Sequence, residues 1–341
     1  MFNTEQLELL EIINSISEDL QIKVYIVGGV VRDLGMGVKP HDRDLDFIVE
    51  GDAISFAKRA ASVLEGKLLS FPKFLTAKVI DLNQFKIIKE VDFASSRTEV
   101  YQSPGSLPSV TLATLEDDLR RRDFSVNALA VAVKDLISSE GLVNFGNLKH
   151  KLIDPFNGVE DLKQKKIRVL HAKSFLDDPT RLYRACRYAE RIAGDLEDQT
   201  RQLFLTALQG DAIPTVSNYR LFKELQKILI ENNSAAILQR AQALGLQQVY
   251  PNLAPSRFEY FTSDLSELEK LKPKLSPAAK FRLAMTLFCY YEVDSAEGVL
   301  HDGQLNKADR KEIIDAAEKL KQRTLNGEGV VRELLGLDLD L

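Results

Sequence analysis

KPHDRDLDFIVEGD, residues 39–52, sets Asp42, Asp44 and Asp46 at every second position and then runs into Phe47, Ile48 and Val49. Side chains of a strand alternate between two faces, so residues two apart share one. Read as a strand, the stretch puts Asp44 and Asp46 side by side, with Leu45 and Phe47 on the opposite face. Adjacent carboxylates repel, so something positive belongs between them.

The flanking sequence builds a mixed domain around that strand. IKVYIV, 22–27, is β-rich and stops at Gly28-Gly29; VVRDLGMG then reads as a short helix closed by Gly35 and Gly37. GDAISFAKRAASVLEG reads as a helix with Asp52 as its cap, a stripe of Ile54, Ala57, Ala61 and Leu64, and Gly66 at its end. KLLSF, TAKVIDL and FKIIKEVDFAS follow as strands, with Asn83-Gln84 as a turn. Strand signals continue to about residue 150 and fade after 155. Helical periodicity then takes over, in DDPTRLYRACRYAERIA, NYRLFKELQKILI and on to KADRKEIIDAAEKLKQR.

A chain of 341 residues exceeds one ordinary core and predicts two or three subdomains. Net charge is −5, so a nucleic-acid partner would have to meet a local basic face rather than a global field. Two distant cysteines exclude a disulfide framework or a cysteine zinc site. The N-terminus reads as an acidic amphipathic helix rather than a signal peptide, and no apolar run reaches spanning length. These features predict a reduced, cytoplasmic setting and no membrane.

Four stretches have chemistry in reach, and each has a plain structural reading beside it. VGGVVRD, 27–33, can wrap backbone N–H groups and Arg32 around a phosphate, or simply make a tight strand–helix turn. Asp44 and Asp46, so soon after that turn, suit Mg²⁺, which takes one or two carboxylates plus substrate phosphates; Asp92 lies in a later strand as a further acid. RRRDFSVNALAVAV, 120–133, packs Arg122, Asp123 and Asn127 before an apolar strand, as a phosphate and sugar site or as a basic turn. In LDDPTRLYRACRYAERI, 176–192, Asp178 and Arg181 share a helix face that Arg184, Arg187 and Arg191 extend. Asp accepts and Arg donates, so the pair matches a base edge; the same row also reads as an ion-paired helix face.

In this order, GG..RD, D-x-D, RRDFSVNA and DDPTR resemble the class II tRNA nucleotidyltransferase family: CCA-adding enzymes, their CC-adding and A-adding relatives, and bacterial poly(A) polymerases. DPFNGVEDLKQKKIRVL, 154–170, and VSNYRLFKELQKIL, 216–229, extend the resemblance from about residue 24 to 229. It implies an α+β fold: a polymerase-β-like head with a mixed sheet over 1–150, a helical base-reading neck over 151–232, and a helical, tRNA-binding body and tail over 233–341.

The resemblance implies roles residue by residue. Gly28, Gly29 and Arg32 would hold the triphosphate; Asp44 and Asp46 would bind Mg²⁺ and catalyse, with Asp92 in support. Arg122, Asp123 and Asn127 would meet triphosphate and ribose. Asp178 and Arg181 would read the base, with Arg184 and Arg187 beside them on the nucleotide. Arg220 and Glu224 would brace that helix. Asp42 shares the acid face but stands outside the family's D-x-D. The expected reaction adds CMP and AMP from CTP and ATP to the 3′ end of tRNA by two-metal transfer. A-adding, CC-adding, poly(A)-polymerising and non-catalytic RNA-binding relatives are the alternatives, the acidic tail weighing against poly(A) synthesis. Leu75 stands where the family's FGTA stretch has glycine, beside the segment expected to carry the CTP-to-ATP switching loop within 67–85. Lys163, Lys165, Lys166, Arg168, Lys173, Arg184, Arg187 and Arg191 form the expected basic face for an acceptor stem.

Overall fold

The VYIV strand, Val24–Val27 (β1), is apolar and buried at every position, as a strand covered on both faces must be. It lies inside a seven-stranded sheet seen in a computed structural model that describes residues 2–37, 45–138, 141–142, 150–246, 255–291, 296–323 and 329–337. The strands that follow are Asp46–Val49 (β2), Lys67–Phe71 (β3), Thr76–Ile80 (β4) and Glu90–Ser95 (β5). Next come Arg97–Val100 (β6), Ser109–Leu112 (β7), Ala130–Ala132 (β8), Ile137–Ser138 (β9), Gly141–Leu142 (β10) and Leu152–Ile153 (β11). The main sheet runs β11-β8-β1-β2-β5-β4-β3; β6 with β7 and β9 with β10 form separate ladders. Within the main sheet β2 and β5 pair parallel and the other neighbours antiparallel, which makes the sheet mixed.

Parity along the strands assigns the two faces. On one, Phe93 packs against both Phe47 and Phe56, with ring centroids 5.5 Å apart in each of these two pairs. Phe56 comes from helix α3, Ala53–Val63, started by Asp52, whose Oδ1 accepts from the N–H of Ile54 and Ser55. Its buried stripe runs through Phe56, Ala57, Ala60 and Ala61, while Ile54, expected inside, is half-buried at the helix start. The other face carries Tyr25, Val27, Ile48 and Ala130 under Leu115 and Leu119 of helix α4, Leu115–Arg120.

One expected strand is shorter in the structure. Of FKIIKEVDFAS, only Glu90–Ser95 is strand. The N–H groups of Lys86, Ile87 and Ile88 donate instead to the Glu5 carboxylate at 2.9, 2.8 and 3.3 Å. Those backbone donors are satisfied by an N-terminal side chain rather than a ladder.

The chain divides into two compact units, residues 1–177 with 194–200 and residues 178–193 with 201–341. The first holds the sheet. The second is helical throughout its described residues, including Thr180–Arg191, Asn218–Leu229, Pro255–Leu271, Pro277–Tyr291 and Lys307–Arg323. Its core uses edge-to-face rings such as Phe261 on Phe288, centroids 5.7 Å apart. None of the helices among the described residues is long and apolar enough to cross a membrane.

Candidate active site

In the first unit, β1 ends at Gly28, whose φ of 73° is left-handed, and helix α2 begins at Gly29 and runs to Gly35. A Cβ at position 28 would sit 3.4 Å from Arg122 Nη1 and 3.9 Å from Asp46 Oδ2. Glycine therefore suits both the turn and the close approach of the two opposite charges. The turn, Asp46 and Arg122 are thus brought together, as the sequence pattern expects. Asp44 lies outside the described residues, as does Asp42.

Asp46 opens β2, exposed, while Phe47, Ile48 and Val49 are buried. On the parallel neighbour β5, Asp92 is its register partner. Adjacent strands lie ~4.8 Å apart, so both carboxylates stand on one face of the sheet. On the other side of Asp92, β4 places Lys78 in register. Lys78 Nζ lies 2.9 Å from Asp92 Oδ2 and 2.8 Å from Glu90 Oε1. The positive group that the acid pattern asks for includes a lysine that the sequence reading did not single out. Its only signal was parity on a strand three connections away.

Burial pushes the Asp92 carboxyl above its usual range, against the pull of Lys78. Burial works to lower the Lys78 ammonium, but Glu90 and Asp92 outweigh it and hold it above its own range. The two directions disagree about whether the pair favours charge. Contacts of 2.8 and 2.9 Å to two carboxylates decide for a charged lysine.

Arg122 lies on the turn after α4, where its Nη2 meets Asp118 Oδ2 at 3.3 Å. Its Nε is buried without a hydrogen-bond partner, a donor that an anion at the turn would satisfy. Asp123 and Asn127 lie in a buried network: Asn127 Nδ2 donates to Asp123 Oδ1 at 3.0 Å. Arg32 joins the same network. Its Nη1 donates to Asn127 Oδ1 at 2.7 Å and its Nη2 to Asp33 Oδ1 at 2.7 Å, with the whole side chain at 0% exposure. The sequence predicts Arg32 at the triphosphate; here these two donors meet Asn127 and Asp33 inside the fold.

The DPFNGVEDLKQKKIRVL stretch clamps the Ser125–Asn127 turn, which carries Asn127, from outside. Ser125 Oγ donates to Asp161 Oδ2 at 2.6 Å, and Arg168 holds the same carboxylate through Nε at 3.0 Å. Ser125 N donates to Arg168 O at 2.9 Å. Gly158 is the contact point: a Cβ there would lie 2.2 Å from the Ser125 carbonyl oxygen.

The second unit carries the remaining expected residues. Asp178 Oδ1 accepts from Thr180 N at 3.0 Å and from Thr180 Oγ1 at 2.6 Å, fixing the start of the Thr180–Arg191 helix. The same oxygen accepts from Arg220 Nη2 at 2.8 Å. Arg181 follows on the first turn, nearly buried. Arg184 and Arg187 approach the Glu224 carboxylate at 3.8 and 3.6 Å, and both guanidinium groups, with that of Arg191, gather on the Tyr188 ring. Burial raises the Glu224 carboxyl, yet Arg184, Lys227 and Arg187 outweigh it and hold it below its ordinary range.

Those pairings thin the expected basic face. Arg168 meets Asp161 and Glu197, and Arg191 meets Glu231. Lys165, Lys166 and Lys173 make no ion pair among the described residues.

The donor set at β2 and β5 fits Mg²⁺: hard carboxylate oxygens, few in number, beside a turn with an unsatisfied guanidinium N–H. Asp46 would hold the ion, with Asp44 beside it in sequence.

A family model described as Poly A polymerase head domain matches residues 24–168. The A-adding tRNA nucleotidyltransferase of Geobacter sulfurreducens is 37% identical over 77% of this chain and 28% of its own length. The chain thus spans under a third of that relative. An apo CCA-adding enzyme structure matches at 31% identity and a TM-score of 0.69, over 95% of this chain and 73% of that one. A tRNA nucleotidyltransferase solved with a primer tRNA and an incoming ATP analogue matches at 26% identity and a TM-score of 0.68, over 96% and 88%.

Proposed function

The chain belongs to the tRNA nucleotidyltransferase and poly(A) polymerase family, and from that premise we propose that it adds CMP and AMP to the 3′ end of tRNA, drawing on CTP and ATP without a nucleic-acid template. One observation carries the reading: Asp46 and Asp92 stand in register on parallel strands, and Gly28 brings Asp46 beside the Arg122 guanidinium. Carboxylates facing a cationic phosphate turn are the parts that phosphoryl transfer needs.

In this reaction the 3′-hydroxyl of the RNA attacks the α-phosphorus, the bond to the β-phosphate bridge oxygen breaks, and pyrophosphate leaves. Asp44 and Asp46 would hold Mg²⁺, which when bound would supply Lewis-acid stabilisation of the charge that develops at the phosphate. The Gly28-Gly29 turn and Arg122 hold the triphosphate. Arg32 acts behind them, keeping Asn127 and Asp123 in place through its 2.7 Å bond. Asp178 and Arg181 present an acceptor and donors to the base. Cytosine and adenine both show an exocyclic amine beside a ring acceptor, so one such pair serves both. Arg220 holds Asp178 from the neighbouring helix and sets its orientation.

Addition of A alone is the second reading. It is favoured by the higher identity to the A-adding relative, 37% against 31% for the CCA-adding structure. It is also favoured by residues 67–80, which pair as the β3–β4 hairpin with Leu75 at its corner. Three tRNAs separate the readings: one ending at the discriminator base, one at C, one at CC, each offered CTP, ATP or both. Full CCA addition extends the first by three nucleotides. Extension of the CC-ending tRNA alone, with ATP alone, assigns the A-adding reading. No extension of any of them rejects both.

A further inference from the structure

Across four strands, one row of side chains on the acid face reads Asp46, Asp92, Lys78 and Leu69. Glu90, two residues before Asp92, supplies a third carboxylate. Lys78 bridges Glu90 and Asp92, donating to Glu90 Oε1 and to Asp92 Oδ2. Exposed lysine–carboxylate pairs contribute little stability, and this lysine side chain is about a third exposed, so cohesion of the sheet is a weak reason for it. Its effect on local charge is larger. Without Lys78 the row would set three carboxylates within two strands.

We propose that Lys78 is a positioning residue and resident counter-cation: it supplies part of the charge that a divalent ion would bring, so the row binds such ions weakly until a nucleoside triphosphate carries one in. The inference rests on the reading of Asp46 as a metal ligand. Lys78 stands two strands from Asp46, and a unit positive charge ~8 Å from a divalent ion repels it by about fivefold in affinity even at the dielectric constant of water. Removing that charge therefore tightens ion binding in the absence of nucleotide, whereas damage to the fold loosens it.

The test titrates Mn²⁺ into the full chain without nucleotide, reading free ion by electron paramagnetic resonance. Lys78→Met should bind Mn²⁺ at least fivefold more tightly than wild type, Lys78→Arg should match wild type, and Asp46→Asn placed on Lys78→Met should abolish the gain. Lys78→Gln carries the same expectation should the methionine variant not fold. Glu90→Gln leaves the ammonium wholly to Asp92 and should not tighten binding. Unchanged or weaker binding in both Lys78→Met and Lys78→Gln overturns the inference, as does tighter binding in Glu90→Gln. A parallel titration with ATP present, read by the water-proton relaxation enhancement that protein-bound Mn²⁺ gives and Mn²⁺–ATP in solution does not, isolates the underlying reading: enhancement that ignores Asp46→Asn there removes the metal site itself.

Discussion

At the scale of single residues, position in the row separates chemistry from support. Asp46 is exposed beside the Gly28 turn, so its loss should strike the reaction and spare the fold. Asp46→Asn is expected to lower nucleotide addition by more than ~10²-fold with an unchanged melting curve, measured at saturating Mg²⁺. Arg32 is the opposite case. Arg32→Met would leave the buried Asp33 carboxylate without the guanidinium 2.7 Å away. That should cost ~3 kcal/mol or more in denaturant unfolding. A stability loss below ~1 kcal/mol would return Arg32 to the direct triphosphate role. Asp178 is judged by fidelity: Asp178→Ala should raise UTP and GTP misincorporation relative to CTP and ATP, on the scale of ~1–3 kcal/mol of discrimination. Slower turnover with unaltered preference would mark it as the helix start and nothing more.

Among elements, the helices of the second unit are joined by carboxylates set between guanidinium groups. Glu224 is 5% exposed and faces Arg184, Arg187 and Lys227. Its carboxyl is held below the ordinary range, so its stabilisation is complete above the unfolded value near ~4.3 and fades as pH falls through the depressed folded value. Glu224→Gln should cost ~3 kcal/mol at neutral pH and flatten the acid side of the stability profile, read by urea unfolding across pH. Gly158→Ala tests the clamp on the turn. Its methyl meets a backbone oxygen at 2.2 Å, an overlap expected to cost ~1–3 kcal/mol.

The same scale shows why some of the site was legible. Strand parity gave the faces of Asp46 and Phe47, because that rule acts over a few residues; Asp178, expected on one helix face with Arg181, instead stands before the Thr180–Arg191 helix, which begins only after Pro179. Lys78 escaped because its meeting with Asp92 depends on which strands neighbour one another. The burial of Arg32 escaped for a related reason: its partner Asn127 is far along the chain. Leu75 was read as a substituted glycine, and its φ of 53° shows that the corner keeps a left-handed backbone with leucine in it.

For the molecule as a whole, ion pairing consumes much of the basic character counted from sequence. Arg168, Arg184, Arg187 and Arg191 each meet carboxylates, whereas Lys165, Lys166 and Lys173 make no ion pair among the described residues. The dependence of tRNA affinity on salt should therefore come from few lysines. Lys165→Ala and Lys173→Ala should each reduce the slope of log K against log salt by about 0.7–0.9. Arg168→Ala should change it less; a larger effect from Arg168 would mean that its carboxylates release it on binding.

The order of strands also sets a timetable for synthesis. β1 is flanked by β2 on one side and by β8 on the other, with Tyr25 opposite Ala132. The strand that ends at the Gly28-Gly29 turn is translated early, but one of its edges has no partner until Ala132 has left the ribosome. The hairpin of β3 and β4 can close on its own before then. A nascent chain halted before β8 should consequently carry Asp46 and Asp92 and still leave β1 open to protease. Release of about twenty further residues past Ala132, enough to pair β11 with β8, should abruptly protect it.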